Sequence, residues 1–184
     1  LSNFLDYSVN EKDSKFDIPY PKNSQNTIRL VIGDNCQINL VEENYSINQL
    51  SEDELQKYIK EQISCFDQNE NWSDLLNLSL NSTKNTLGFK VSGSEIPPIE
   101  IFSHASSNSL NAKTLIIFLE KNCDIDLLQV NLGKDNSSLS QSTFLCLEEN
   151  SSVNHGVVSY GENKSNLLNS LNVIQQKNSS YNLG

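Results

Sequence analysis

Methionine is absent from this 184-residue chain, which also holds one Trp, one Arg and two His. Positive charge is scarce, with 13 Lys and Arg against 23 Asp and Glu and a net charge of −10. A surface that grips nucleic acid or an anionic membrane needs clustered positive charge, so neither partner is expected. Long apolar runs are missing too. The longest, 115–119, has five residues, far short of the roughly 18 that cross a bilayer. Gly33, Gly88 and Gly93 stand isolated, and no GxxxxGK[ST], GxSxG or HExxH string occurs, which removes the phosphate loop, the nucleophile elbow and the zinc-protease helix. No signal peptide is visible. A start at Leu1 in a chain without Met predicts a fragment of a longer product.

Asparagine and serine are abundant, at 26 and 27 residues. Sequons such as Asn71-Trp72-Ser73 and Asn136-Ser137-Ser138 are therefore expected by chance and argue little for secretion. The four cysteines, Cys36, Cys65, Cys123 and Cys146, show no CxxC or finger spacing, which suits reduced thiols in a cytosolic protein. Cys146 takes a packing position, whereas Cys123 falls in a bend and is expected to be exposed.

The strongest signal is a 28-residue rhythm. With segments 86–93, 114–121, 142–149 and 170–177 in register, Leu87, Leu115, Thr143 and Leu171 form one column, and Phe89, Ile117, Leu145 and Val173 the next. Val91, Leu119 and Leu147 form a third, broken at Gln175, while Ile125, Val153 and Tyr181 align after a polar bend. Fixed-period similarity of this kind marks a solenoid, whose repeats bury their apolar faces only against one another. Columns two residues apart are strand spacing, and the β-branched and aromatic Thr143, Ile117, Val173, Val91 and Phe89 stand in them among leucines. Two strands per 28-residue turn, with equivalent residues about 4.8 Å apart, describe a parallel β-helix. The competing arrangement is an antiparallel sandwich of evenly spaced strands. Asn122, Asn150 and Asn178 also align, but in so asparagine-rich a chain the match alone carries little weight.

Residues 1–82 lack the rhythm and read as an α+β region, and 83–184 read as the β-helix, broken off at its C-terminal end. The opening stretch to Gln25 is an extended lead-in. Strands at 28–32 and 37–41 flank the turn Gly33-Asp34-Asn35. Ser51 and Glu54 form a capping box, followed by Leu55, Tyr58, Ile59, Ile63 and Phe66 on one helical face. A second helix starts at Asn71 as N-cap and buries Trp72, Leu75, Leu76 and Leu80. Pro97-Pro98 marks an edge, corner or strand start, and 135–141 is a polar, Ser-rich loop between turns. A solenoid that stops uncapped predicts that more chain, or another chain, covers its end.

No specific catalytic constellation is visible. His155 shares the parity of Val153 and Val157, so it points inward as a hydrogen-bonded structural histidine, with ligand or acid–base duty as the alternative. His104 stands in an unrelated setting. Asp124 and Asp126 lie on one strand face and alternate with Ile125 and Leu127, which makes a solvated outer face the simpler reading and a catalytic pair the other. Glu52-Asp53-Glu54 occupies a helix's first turn, where negative charge meets the dipole. No residue is assigned a catalytic, cofactor-binding or metal-ligating role.

Residues 72–184 resemble the SufD-type subunit of the iron–sulfur cluster assembly scaffold. The likeness is carried by Trp72…Leu76-Asn77, Pro98-Ile99-Glu100-Ile101 and Lys113-Thr114-Leu115-Ile116-Ile117-Phe118-Leu119-Glu120. It continues through Phe144-Leu145-Cys146-Leu147-Glu148-Glu149-Asn150-Ser151-Ser152-Val153-Asn154-His155 and Leu171-Asn172-Val173-Ile174-Gln175-Gln176-Lys177-Asn178-Ser179. The related SufB subunit usually has a cysteine shortly after the strand matching 124–129; here Leu128-Gln129-Val130-Asn131 follows, which favours SufD. The resemblance implies a right-handed parallel β-helix between a partly helical N-terminal domain and a C-terminal helical one. It further implies a non-catalytic cytoplasmic scaffold that pairs with a SufB-type subunit and the SufC ATPase, the iron–sulfur cluster being transient cargo of the complex and no cofactor residing in this fragment. Homodimer formation is the alternative assembly. The family's docking segment for SufC and its best cluster-site candidates fall beyond Gly184, so no functional residue is carried over. The other functional classes are a polysaccharide-active β-helix enzyme, against which the lone Arg29 and few outward aromatics speak, and a secreted adhesive solenoid.

Overall fold

Alternating apolar residues at two-residue spacing become strands once neighbouring turns cover them, and this is how the 28-residue rhythm is realised. The computed structural model describes residues 27–34, 38–40, 46–59 and 85–184. In order these form β1 (Ile28–Ile32), β2 (Ile38–Leu40), β3 (Ile47–Gln49), α1 (Glu52–Tyr58), β4 (Thr86–Val91), β5 (Ile99–Ala105) and β6 (Leu110–Leu119). They continue as β7 (Asp124–Gly133), β8 (Ser138–Leu147), β9 (Ser152–Gly161), β10 (Asn166–Gln175) and β11 (Ser180–Leu183). Strands β5, β7, β9 and β11 stack in one sheet, and β4, β6, β8 and β10 in the other. Each pairing within these stacks is parallel and joins residues 28 apart, as in Leu87↔Leu115↔Thr143↔Leu171 and Ile125↔Val153↔Tyr181. The fold is a parallel β-helix, and the antiparallel sandwich is excluded.

The inward columns make the core. Phe89, Ile117, Leu145, Val91, Leu119 and Leu147 join Ile99, Ile101, Leu127 and Val153 in one cluster between the sheets. Ile117 and Leu145 are fully buried, each such side chain contributing on the order of 1.5–3 kcal/mol. A second cluster lies outside the β4–β10 sheet, where Ile116, Phe118, Phe144 and Cys146 meet Leu50 and Leu55. The helix α1 sits there because its capping box is formed, with Ser51 and Glu54 satisfying each other's backbone amides, and because Leu55, Tyr58 and Ile59 face the sheet. Gly88 leaves the room: a Cβ at that position would stand 2.5 Å from a methyl of Leu55.

The N-terminal strands finish one end of the stack. β1 runs parallel to β5, whereas β2 pairs antiparallel with β1 and β3 antiparallel with β4. β1 and β2 thus flank the turn at Gly33 as the composition predicts. The segment 96–98, with its two prolines, precedes β5 and so marks a strand start. The helix expected from Asn71, with Trp72, Leu75, Leu76 and Leu80, lies outside the described residues, as do Ile63, Phe66, Cys36, Cys65 and the lead-in to Gln25.

The corners obey a tighter rule than 28. Asn108, Asn122, Asn136, Asn150, Lys164 and Asn178, spaced 14 apart, all have left-handed backbone with φ between 55° and 61°. Asparagine adopts that conformation more readily than other residues with a Cβ. The residue after each is serine, except at Cys123. Each of these serines donates its hydroxyl to the carbonyl three residues back, at 2.6–2.7 Å. One expectation is corrected here. The polar stretch 135–141 is not all loop, since β8 already begins at Ser138 and pairs with Leu110. Its polar residues are accommodated because the lumen at that level is itself polar.

Candidate functional site

Three places hold the side chains with chemistry: the outer face of the β5–β11 sheet, the buried histidines, and the polar half of the lumen. On the outer face, alternation along β7 sends Asp124 and Asp126 to solvent. Asp124 accepts the Ser152 hydroxyl, and Asp126 accepts from Asn154 Nδ2 at 3.0 Å. Asn154 in turn accepts from Asn182 Nδ2 at 3.3 Å. The two carboxylates are therefore rungs of a ladder climbing the sheet, on the solvated face that alternation predicts. Beside the ladder runs a groove of ≈ 540 Å³, walled by Asp126, Asn154 and Leu128 and opened by Gly156. At its far end Glu100 takes two hydrogen bonds from Arg29, 2.8 Å from Nε and 2.5 Å from Nη2. The guanidinium also lies 5.1 Å from the Phe102 ring centroid. The lone arginine is thus committed to structure.

His155 faces inward, as its parity with Val153 predicts, and is 2 % exposed. Its Nδ1 lies 2.9 Å from the Tyr181 hydroxyl, with the rings edge to face. Burial lowers its pKa to about 4 and raises that of Tyr181, so at neutral pH both are uncharged. His104 is also buried, and desolvation together with the nearby Lys113 charge brings its pKa to about 4.

The cysteines divide differently from the sequence expectation. Cys146 packs beneath α1 in register with Phe118, as expected. Cys123 is not exposed but fully buried, in the lumen cluster. The reason is the corner geometry: the fourth residue of each bend turns inward, and here sulfur replaces the usual hydroxyl. Its Sγ lies 3.5 Å from the Gly93 carbonyl oxygen, and burial pushes the thiol pKa up, which keeps it protonated and poorly nucleophilic. Among the described residues, no three His, Cys, Asp or Glu side chains come together as a metal would require.

The feature that sequence reading missed is the polar lumen. Lys113 is 2 % exposed and donates to the carbonyls of His104 at 2.7 Å and Ile32 at 3.1 Å. Thr143 donates across the lumen to Gln129 Oε1 at 3.0 Å, and Gln129 Nε2 donates to Asn131 at 3.2 Å. One turn on, Asn169 donates across to Ser159 at 2.6 Å. By register, Ser103, Asn131 and Ser159 form one inward column and Lys113, Gln141 and Asn169 the facing one. The signal was present: extending the 28-residue alignment two residues upstream of Leu115 and four downstream of Leu127 exposes both columns.

Compared with protein-family models, with curated proteins and with solved structures, the chain matches none.

Proposed function

We propose that this chain is a non-catalytic scaffold subunit of the SufD type, whose β-helix is a rigid platform for pairing with a SufB-type subunit and working with the SufC ATPase. The supporting observation is the placement of four of the five segments that carry the resemblance, Trp72…Leu76-Asn77 lying outside the described residues. Pro98-Ile99-Glu100-Ile101 leads into β5, the 113–120 segment covers most of β6 and the residue after it, 144–155 runs from β8 into β9, and 171–179 completes β10 and its corner. They therefore occupy successive rungs of one parallel β-helix, the architecture the resemblance implies. A platform role also suits the chemistry: Arg29, Asp126, His155 and Lys113 each hold another part of the fold. The iron–sulfur cluster is the cargo of the assembled complex, in the cytoplasm.

A polysaccharide-active enzyme is the second reading, and the groove beside Asp126 is the feature that favours it. Its weakness is that Arg29, the lone guanidinium, is already bound to Glu100. The deciding experiment is co-expression with SufB- and SufC-type subunits from the same source, followed by light scattering. A complex of defined mass supports the scaffold. A species indifferent to both subunits, whether monomer or homodimer, overturns it, and glycan binding at the groove then becomes the next measurement.

A further inference from the structure

A parallel β-helix is ordinarily filled by stacked apolar side chains, and half of this lumen is. The other half faces Ser103 and Asn131 against Lys113 and Gln141, all at most 2 % exposed. That the columns face one another follows from the turn above, where Asn169 and Ser159, 28 residues further along both strands, bond directly at 2.6 Å. Deeper in, the side chains do not complete one another. Ser103 Oγ, Asn131 Nδ2 and Gln141 Oε1 are buried polar atoms with no hydrogen-bond partner. Buried polar groups in folded proteins are almost always satisfied, by protein or by ordered water.

The chemistry of the three atoms selects the ligand. The Gln141 amide is oriented by Nε2 donating to the Ser142 carbonyl at 3.4 Å, which leaves Oε1 as an acceptor. The Asn131 amide is oriented by Oδ1 accepting from Gln129, which leaves Nδ2 as a donor. Ser103 Oγ serves as either. An anion wants donors only and a cation acceptors only. A molecule that gives and takes in equal measure, small enough for a β-helix lumen, is water.

We propose that the polar half of the lumen is a water-binding site, in which ordered waters link Ser103 Oγ, Asn131 Nδ2 and Gln141 Oε1 between the turns. These waters complete the network begun by Thr143 and Gln129. The site is independent of the scaffold reading and stands or falls without it.

The first test is a crystal structure of the unmodified protein at a resolution where ordered waters are placed. Expected is water density within hydrogen-bond distance of all three atoms. Empty density overturns the proposal, and so does an anion, detected as anomalous signal after a bromide soak. The second test works in solution, by oxygen-17 relaxation dispersion of the solvent. The wild-type protein is expected to show a dispersion from long-lived internal waters, and the Asn131→Leu, Gln141→Leu double variant to lose it. A folded double variant with unchanged dispersion overturns the assignment. If the double variant does not fold, Ser103→Ala with the wild-type crystal structure decides: a water peak that weakens at that position supports the site, and an unaltered one refutes it.

Discussion

Asn150 Nδ2 donates to Asn122 Oδ1 one turn below, at 3.3 Å, while both residues hold a left-handed backbone. Asn178 repeats the bond to Asn150 at 3.2 Å, and Asn136 to Asn108 at 2.7 Å. Two demands meet in one residue type, a tolerated positive φ and a side chain that is donor and acceptor at once.

Asn150→Ala is therefore expected to destabilise by about 2 kcal/mol, adding the left-handed penalty of roughly 1 kcal/mol or more to the lost side-chain bonds. Asn150→Gly keeps the backbone at ease and loses only the bonds, so it is expected to cost about half as much. Urea denaturation of the three proteins checks the order; an alanine variant as stable as the glycine variant would remove the conformational half of the account.

Gly88 sits directly beneath Leu55, where a Cβ has no room without movement. Gly88→Val is expected to push α1 from the sheet at a cost of roughly 1–3 kcal/mol. The local readout is faster amide exchange across 52–58, and unchanged protection there counts against this packing.

His155 gives the fold a pH dependence with a definite sign. Its ordinary pKa is 6.5 and its folded value about 4, so between those values the unfolded chain holds the extra proton. Stability is fully present above pH 6.5 and falls as pH drops toward 4, by roughly 2 kcal/mol from this group. His104, shifted the same way, adds to the slope. His155→Phe is expected to roughly halve the loss over that window; denaturant midpoints at pH 7, 5.5 and 4 measure it.

Cys123 and Cys146 are buried, and burial raises the Cys123 pKa. In a Cys36→Ser, Cys65→Ser protein, a disulfide-exchange reagent is expected to titrate no thiol in the native state and both in denaturant. Rapid native labelling would contradict the inward corner.

Much of this fold is written plainly in the chain. The columns headed by Leu87, Phe89 and Val91 pair as their spacing requires, because a one-residue slip would turn every apolar side chain to solvent. The Ser51–Glu54 capping box, the inward His155 and the outward Asp124 and Asp126 follow from equally local rules. Cys123 escaped because a bend is usually exposed, whereas this bend repeats every 14 residues and folds its fourth residue inside. The polar lumen escaped because polarity is normally read as solvent exposure. Lys113, Gln141 and Asn131 break that habit, and only the repeat register shows that they share the parity of the core.

The reversed strands β2 and β3 give the molecule a polarity. A stack of identical parallel rungs is a template, to which further in-register strands add as they do in amyloid. Here the edges of β1 and β4 are each met by a strand running the other way. A rung continuing the direction of β1 and β4 meets a strand running the other way on both sheets at once, so the parallel in-register stack is interrupted at that face.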